Sequence, residues 1–324
     1  MVLKSTLKRG ALIAAANWQV TLIQAIADSL FKLLLAVPIL GGVFLVVLVI
    51  GAEPRDLAQL DWRDLITTIV AALMGAPIVL VPFLLSLGVV VIGGSIFVFL
   101  VKGGAVAILV AGDAYAGPVE QPPLHFAKVA RAARFSVEGY IDGCRALFPR
   151  FLRLGVGLMS VYLLSAAAYF VVVSSGGWGL TAVFSAVFVA WITLVNLIYL
   201  LLQIVVAADD CAIGDAVRRV TAFVRAELRS IAAVFAVVLA LVVCATGASL
   251  LAIAAFGLIA FVPFFGLAAL PLHILASLLR SVVFQYVGLT AAAAYLHLYR
   301  GFAARPAPRR LRDLAPVGPN PVAS

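Results

Sequence analysis

Three basic side chains stand inside apolar runs of the sequence: Arg280, Lys102 and His273. A charge in a helix that crosses a membrane is costly, so such residues often bind a ligand or line a transport path. The structural alternative is that a long basic side chain extends to the membrane surface, or that the residue packs between helices. The structural interpretation is favoured for each of the three. Arg280, well inside the last apolar run, is the first functional candidate.

A second group of candidates lies on two amphipathic stretches, residues 113–153 and 208–230, which we call the first and second belts. The group consists of Arg131, Arg134, Arg218, Arg219, Arg225 and Arg229. In the second belt an apolar stripe recurs at helical spacing, formed by Ile213, Val217, Val220, Val224 and Leu228. Such a helix lies at a membrane surface, with its arginines toward water or lipid phosphate. We therefore expect anionic phospholipid headgroups as partners.

The sequence offers little for catalysis or metal binding. Asp209, Asp210 and Asp215 stand near Cys211, but their spacing does not suit a metal site. Helix capping and pairing with the arginines that follow explain these carboxylates better. The apolar runs also lack a pair of carboxylates or histidines at a workable spacing for an intramembrane enzyme. We therefore expect no enzymatic activity, no metal and no cofactor.

The composition belongs to an integral membrane protein. The chain is 65% hydrophobic and 11% charged, whereas a soluble domain is about half apolar and a quarter charged. Several apolar runs reach the roughly 20 residues that a helix needs to cross a bilayer, and they are too long for barrel strands. The expected fold is all-α. The net charge of +9 comes from basic residues that flank the apolar runs, so nucleic acid is not an expected partner.

Six crossings give the most consistent topology. Residues 65–111 fit by length either two crossings or one crossing with a helical or re-entrant extension, broken near Pro77 and Pro82 or at Gly93–Gly94. With one crossing, both termini and 18 of the 23 basic residues fall on a single side of the membrane. Two crossings within residues 65–111 would destroy this asymmetry. Basic residues of membrane proteins gather on the cytoplasmic side. The sequence therefore predicts a multi-pass protein of a bacterial inner membrane with both termini in the cytoplasm.

The chain divides into an N-terminal interfacial segment (1–32), a transmembrane bundle (33–300) that carries both belts, and a disordered tail (301–324). In the first belt, apolar residues from Phe126 to Leu147 predict one amphipathic helix that Pro149 ends. Turns are predicted within 174–179 and 256–266.

Short Ile/Asp motifs at 26–28, 141–142 and 213–215 precede the first, third and fifth crossings. They suggest three repeated units, each an interfacial helix followed by a transmembrane hairpin.

Three stretches carry a family resemblance: VVAADDCAIGDAVRRVTAFVRAELRSIAAV (205–234), SVVFQYVGLTAAAAYLHLYRGF (281–302) and, more loosely, GGAVAILVAGDAYAG (103–117). They resemble the membrane domain of glycerophosphoryl diester phosphodiesterases, in which a basic helix feeds a crossing and the closing helix ends in a Tyr-Arg pattern. Tyr299 and Arg300 occupy that pattern here. The chain has no room for the phosphodiesterase barrel and no His, Glu and Asp cluster for its metal. The resemblance therefore implies a shared membrane scaffold without a catalytic domain.

The sequence thus predicts a non-enzymatic polytopic inner-membrane protein whose cytoplasmic basic helices organise lipid or a membrane partner. A membrane-protein partner or a second copy of the chain is the further class of partner. The alternative function is a transporter of small molecules or lipids, or a membrane subunit of a transport complex. That alternative depends on Lys102, Arg280 and a kinked second crossing.

Overall fold

The computed structural model describes residues 2–50, 71, 75, 77–123, 125–175, 178–260 and 265–305 of the 324-residue chain. In the described residues there are eight α-helices: α1 (Val2–Ala16), α2 (Trp18–Ile50), α3 (Pro77–Tyr115), α4 (Phe126–Ala132), α5 (Val137–Ser175), α6 (Trp178–Asp209), α7 (Ile213–Ala260) and α8 (Phe265–Ala303). Six of them, α2, α3 and α5 to α8, are long and apolar enough to cross a membrane. The predicted all-α membrane fold is confirmed.

The six long helices pair as three hairpins, because α2 packs on α3, α5 on α6 and α7 on α8. In the last two hairpins, α5 ends at Ser175 and α6 begins at Trp178, and α7 ends at Ala260 and α8 begins at Phe265, so these helix ends lie within the segments predicted to turn. Residues 77–115 form the single helix α3, with Pro82 inside it, as one crossing requires. Most of 65–76 lies outside the described residues.

Buried side chains gather at one end of the bundle, which we call the packed end. It contains α1, the last turns of α3, α6 and α8, and the first turns of α5 and α7, with core residues such as Ile13, Leu109, Phe151, Ile204 and Tyr295. The other half, the lipid-facing half, exposes large apolar side chains, among them Leu85, Leu164, Leu251 and Leu275. Helices α3, α5 and α8 have 39 residues each, or about 58 Å, against about 30 Å of bilayer hydrocarbon. The lipid-facing half therefore matches the bilayer, and the packed end extends beyond its hydrocarbon.

The N-terminal region differs from the single interfacial segment predicted over 1–32. It contains α1 and the first turns of α2, separated by a break at Asn17. Ile13 and Ala14 are fully buried, and α1 lies so close to α8 that a Cβ on Gly10 would be 2.5 Å from the carbonyl oxygen of Thr290. Because its small residues allow this close approach, α1 packs against α8.

The amphipathic helix predicted from Phe126 to Leu147 is interrupted, so that prediction is wrong. Helix α4 ends at Ala132, and Ala133 is extended, with a ψ of 101°. The Asn17 side chain holds this break: its Nδ2 donates to the carbonyl oxygen of Ala132 at 2.9 Å, and its Oδ1 accepts from the backbone nitrogens of Arg134 and Phe135 at 2.8 and 3.1 Å. These bonds satisfy backbone groups that a continuous helix would have paired internally.

Pro149 does not end the helix in which it lies, contrary to the sequence prediction. Helix α5 runs through it from Val137 to Ser175. A proline inside a helix removes one backbone hydrogen bond and costs about 3 kcal/mol or more. The turns on both sides of Pro149 are held by the buried side chains of Leu147, Phe151 and Leu154, and this burial offsets the cost.

The buried face of the second belt coincides only in part with the predicted apolar stripe. Ala216, Val220 and Phe223 are buried, whereas Val217 and Leu228 are 46% and 59% exposed. The stripe was assigned to the larger apolar residues, but the small Ala216 fits against neighbouring helices and turns the helix toward that side. Helix α7 also departs from helical geometry at Glu227, where φ is −120° and ψ is 25°. This departure separates the belt from the crossing that follows.

The predicted tail begins later than residue 301. Helix α8 continues through Gly301 to Ala303, and Arg305 forms an ion pair with Glu227 at 2.5 Å. Residues 306–324 lie outside the described part of the chain.

Candidate functional site

A buried charged network lies at the packed end, centred on Arg9 of α1. Its Nε donates to Asp113 Oδ1 at 2.7 Å, its Nη1 donates to Glu120 Oε2 at 2.9 Å, and its Nη2 donates to the carbonyl oxygen of Asp113 at 3.0 Å. The same Nη1 also donates to the carbonyl oxygen of Gly117. Arg9 thus fixes the loop after α3 against α1.

Asp113 joins this network to the end of the chain. Its side chain is only 2% exposed, and its Oδ2 accepts from Arg300 Nη1 at 2.7 Å. Arg300 Nη2 also donates to the carbonyl oxygen of Val110 at 3.1 Å. The first helix, the start of the first belt and the end of the last helix therefore meet at one end of the bundle, as the six-crossing topology requires.

The charges of this network compensate one another. Burial lowers the pKa of Arg9, but the hydrogen bonds and negative charges of Asp113 and Glu120 outweigh burial and raise that pKa above its ordinary value. Arg9 is therefore protonated at all physiological pH values. A buried charge is tolerated only when it is paired in this way, so the network has the properties of a structural clamp.

The acidic group of the second belt forms a second set of ion pairs. Asp209 accepts from Arg219 and from the hydroxyl of Tyr299, and Asp210 accepts from Arg150. Asp215 pairs with Arg218 at 2.5 Å. Every one of these carboxylates thus has a cationic partner. Within the described residues, no group of three or more His, Cys, Asp and Glu side chains is arranged to hold a metal ion.

The six belt arginines differ in how their charge is used. Arg218 and Arg219 are ion-paired, and the guanidinium of Arg134 lies 4.0 Å from the centre of the Tyr115 ring. Arg131, Arg225 and Arg229 are exposed. Over the ranges that the structure describes, none of these three has an acidic side chain within 4.0 Å. Their charge is available to a ligand.

Arg225 and Arg229 stand at the edges of two apolar grooves. The groove at Arg225 lies between α6 and α7, has a volume of about 340 Å³ and is lined by Ile198, Leu202, Val217, Val220, Thr221 and Val224. The groove at Arg229 lies between α1, α7 and α8, has a volume of about 290 Å³ and is lined by Leu3, Thr6, Ser230, Ala233, Val234 and Leu298. Each groove combines an apolar wall with one unpaired guanidinium.

Lys102 and Arg280, two of the intramembrane candidates, contact different parts of the bundle. The Lys102 ammonium faces α6, 5.6 Å from the centre of the Tyr199 ring. Arg280 is exposed, lies 5.5 Å from the centre of the Phe284 ring and borders a groove between α7 and α8. His273 belongs to α8, and its side chain lies outside what the structure describes.

Close glycine contacts and a side-chain hydrogen bond join neighbouring helices. A Cβ on Gly94 would be 2.1 Å from the Phe31 ring, and one on Gly104 would be 2.6 Å from Cys144 Sγ, so both glycines permit close helix contact. Asn196 accepts a hydrogen bond from the Tyr162 hydroxyl at 2.5 Å across the α5–α6 hairpin.

Sequence reasoning missed the network of Arg9, Asp113 and Glu120, and it missed the role of Asn17 at the break after α4. The partners are far apart in the chain, with Arg9 and Asp113 separated by 104 positions. The one available signal was the placement of Asp113 directly after a long apolar run. A carboxylate at the end of a crossing commonly finds a basic partner.

Comparisons with protein-family models, with curated proteins and with solved structures find no match.

Proposed function

We propose that this chain is a non-enzymatic, multi-pass protein of a bacterial inner membrane whose basic helices at the packed end bind anionic phospholipid. The observation that carries the proposal is the pair of grooves edged by Arg225 and Arg229, in which an unpaired guanidinium adjoins an apolar wall. Both termini lie in the cytoplasm in this proposal, because the basic residues gather at the packed end and basic loops stay on the cytoplasmic side.

The chemistry of such a groove matches a phospholipid. A guanidinium binds phosphate oxygens through charge-assisted, often bidentate hydrogen bonds. The apolar wall covers acyl-chain carbons that would otherwise contact water or headgroups. The cytoplasmic leaflet is negatively charged, and each basic residue near it adds about 1 kcal/mol of attraction. The two grooves therefore favour anionic over zwitterionic lipids.

The resemblance to the membrane domain of glycerophosphoryl diester phosphodiesterases belongs to this proposal as a shared scaffold. Tyr299 and Arg300, the residues of the Tyr-Arg pattern, hydrogen-bond to Asp209 and Asp113. Both contacts join the last helix to other parts of the packed end. These contacts support a scaffold role for the pattern.

Transport is the weaker alternative. It depended on Arg280 and Lys102 acting along one path through the bundle. Arg280 lies on the outer surface, whereas Lys102 contacts Tyr199 within the bundle. Within the described residues, Lys102 and Arg280 form no hydrogen bond, ion pair or ring contact with each other.

The test replaces Arg225 and Arg229 together by glutamine. The matched control is Arg218→Gln, which removes another exposed belt charge that is already paired with Asp215. Purified protein is mixed with phosphatidylglycerol or phosphatidylcholine, and bound lipids are counted by native mass spectrometry. We expect the double variant to lose phosphatidylglycerol selectivity and the control to retain it. Unchanged phosphatidylglycerol binding by a folded double variant would overturn the proposal.

A further inference from the structure

A third groove lies outside the belts, between α7 and α8 in the lipid-facing half. Its volume of about 540 Å³ exceeds those of the grooves at Arg225 and Arg229 and falls in the range of roughly 300–1,000 Å³ typical of ligand pockets. The wall consists mainly of small side chains: Ala245, Ala248, Ser249 and Ala252 of α7, and Ala276 and Ser277 of α8. Arg280 lies at its edge.

The groove opens sideways toward lipid. Leu251 of α7 and Leu275 of α8, which are its neighbours along the two helices, are among the exposed large apolar residues. The small residues of the wall leave a channel along the seam of the hairpin, where larger side chains would have filled the space. An acyl chain in the bilayer can therefore enter from the side without crossing polar surface.

The depth of Arg280 sets which part of a lipid it meets. Arg280 lies 15 residues after Phe265, the first residue of α8, or about 22 Å at 1.5 Å per residue. With Phe265 at one boundary of a 30 Å hydrocarbon layer, Arg280 lies about 8 Å inside the boundary on the packed-end side. A long basic side chain at this depth extends toward the headgroups of that leaflet.

The charge of Arg280 has no counter-ion within the described part of the chain. No acidic side chain there lies within 4.0 Å of its guanidinium, and its recorded contact is the Phe284 ring. The carboxylate of Asp28, close to the next residue Ser281, is paired with Lys32 at 2.5 Å. A cation at this depth requires an anionic partner, and the bilayer supplies one as a lipid phosphate.

We infer that this groove holds one anionic phospholipid of the packed-end leaflet, with an acyl chain along the small-residue wall and the phosphate on Arg280. The inference goes beyond the proposed function, because it uses none of the belt arginines. Phosphate binding at Arg280 and acyl-chain binding at Ala248 depend on different residues, so the two halves of the site are tested by different variants.

The experiment uses the full chain in mild detergent, titrated with phosphatidylglycerol and followed by native mass spectrometry. Arg280→Gln removes the charge, and Ala248→Leu fills the groove while keeping the charge. The controls are Arg153→Gln, another exposed arginine, and Ala240→Leu, an exposed alanine of α7 outside the groove. Loss of one charge-assisted contact weakens binding at least about tenfold.

We expect Arg280→Gln and Ala248→Leu each to weaken binding of one phosphatidylglycerol molecule about tenfold, with both controls unchanged. Arg280→Lys, which keeps a cation, should retain part of the affinity and serves if the glutamine variant fails to fold. Unchanged lipid binding in Arg280→Gln would overturn the inference. So would an effect of Ala248→Leu on self-association alone, since the groove would then be a helix–helix interface. The Arg225 and Arg229 double variant should retain the phosphatidylglycerol molecule bound at Arg280. The failure of this inference can therefore be distinguished from the failure of the proposed function.

Discussion

Replacement of Asp113 by asparagine tests whether the buried network stabilises the packed end. The substitution keeps the size of the side chain but removes the charge that both Arg9 and Arg300 contact. Breaking a buried ion pair by removing one partner costs about 3–5 kcal/mol, because the other charge is left uncompensated. Arg9 is 8% exposed at its side chain and keeps Glu120 as a partner, and Arg300 is 32% exposed. We therefore expect a loss of about 3 kcal/mol in the free energy of unfolding.

The internal comparisons make this estimate specific. Arg218→Gln breaks a pair whose arginine is 82% exposed, so it should cost less than about 1 kcal/mol. Arg9→Gln combined with Asp113→Asn should lower the free energy of unfolding by less than the sum of the two single substitutions. Each single variant leaves one charge of the Arg9–Asp113 pair without that partner, whereas the double variant removes both charges.

The assay is unfolding by sodium dodecyl sulfate in mixed micelles, followed by far-ultraviolet circular dichroism and fitted to a free energy of unfolding. Helix content before denaturant is added should be the same in all variants, since none of the substitutions introduces a helix-breaking residue. If Asp113→Asn costs no more than Arg218→Gln, the network is solvated and the reasoning about its burial is refuted.

Three further predictions concern the same fold. Asn17→Ala removes the side chain that hydrogen-bonds to the backbone at the break between α4 and α5. It should lower the free energy of unfolding by about 2–4 kcal/mol and raise amide hydrogen exchange at that break. Unchanged exchange there would contradict the role of Asn17. Gly104→Ala should destabilise the protein by about 1–3 kcal/mol, because the added Cβ would be 2.8 Å from a carbonyl oxygen. Gly93→Ala, whose Cβ would have nothing within 4 Å, should be neutral or stabilising. Equal effects of the two substitutions in thermal unfolding would argue against the close contact at Gly104. In a cysteine-free background, a cysteine at Arg145 should react with a membrane-impermeant thiol reagent only from the cytoplasm and one at Trp178 only from outside; labelling of both from one side would reject the topology.

The crossings were predictable because long apolar runs have few other stable arrangements. The hairpin turns follow from Gly and Pro, and the side-by-side placement of the termini follows from the distribution of basic residues. These properties are local or statistical, so one sequence is enough to infer them.

The breaks and the network were not predictable, because each depends on a partner far away in the chain. The interruption after Ala132 is imposed by Asn17, which lies 115 residues earlier. The buried face of the second belt depends on the fit of the small Ala216 against other helices, and apolar size alone pointed to Val217 and Leu228 instead. Periodicity identifies an amphipathic helix but does not identify which small residue lies closest to a neighbour.

The contacts between α1 and α8 also constrain the order of events during biosynthesis. The Tyr286 hydroxyl donates to the carbonyl oxygen of Ala11 at 3.1 Å, across a separation of 275 residues. At the usual 5–20 residues per second of translation, roughly 15–55 s pass between the emergence of these two partners from the ribosome. During that interval α1 has no α8 to pack on, and Asp113 has Arg9 but not Arg300. Helix α1 is thus made before most of its neighbours, but it reaches its final environment only after α8 has been inserted.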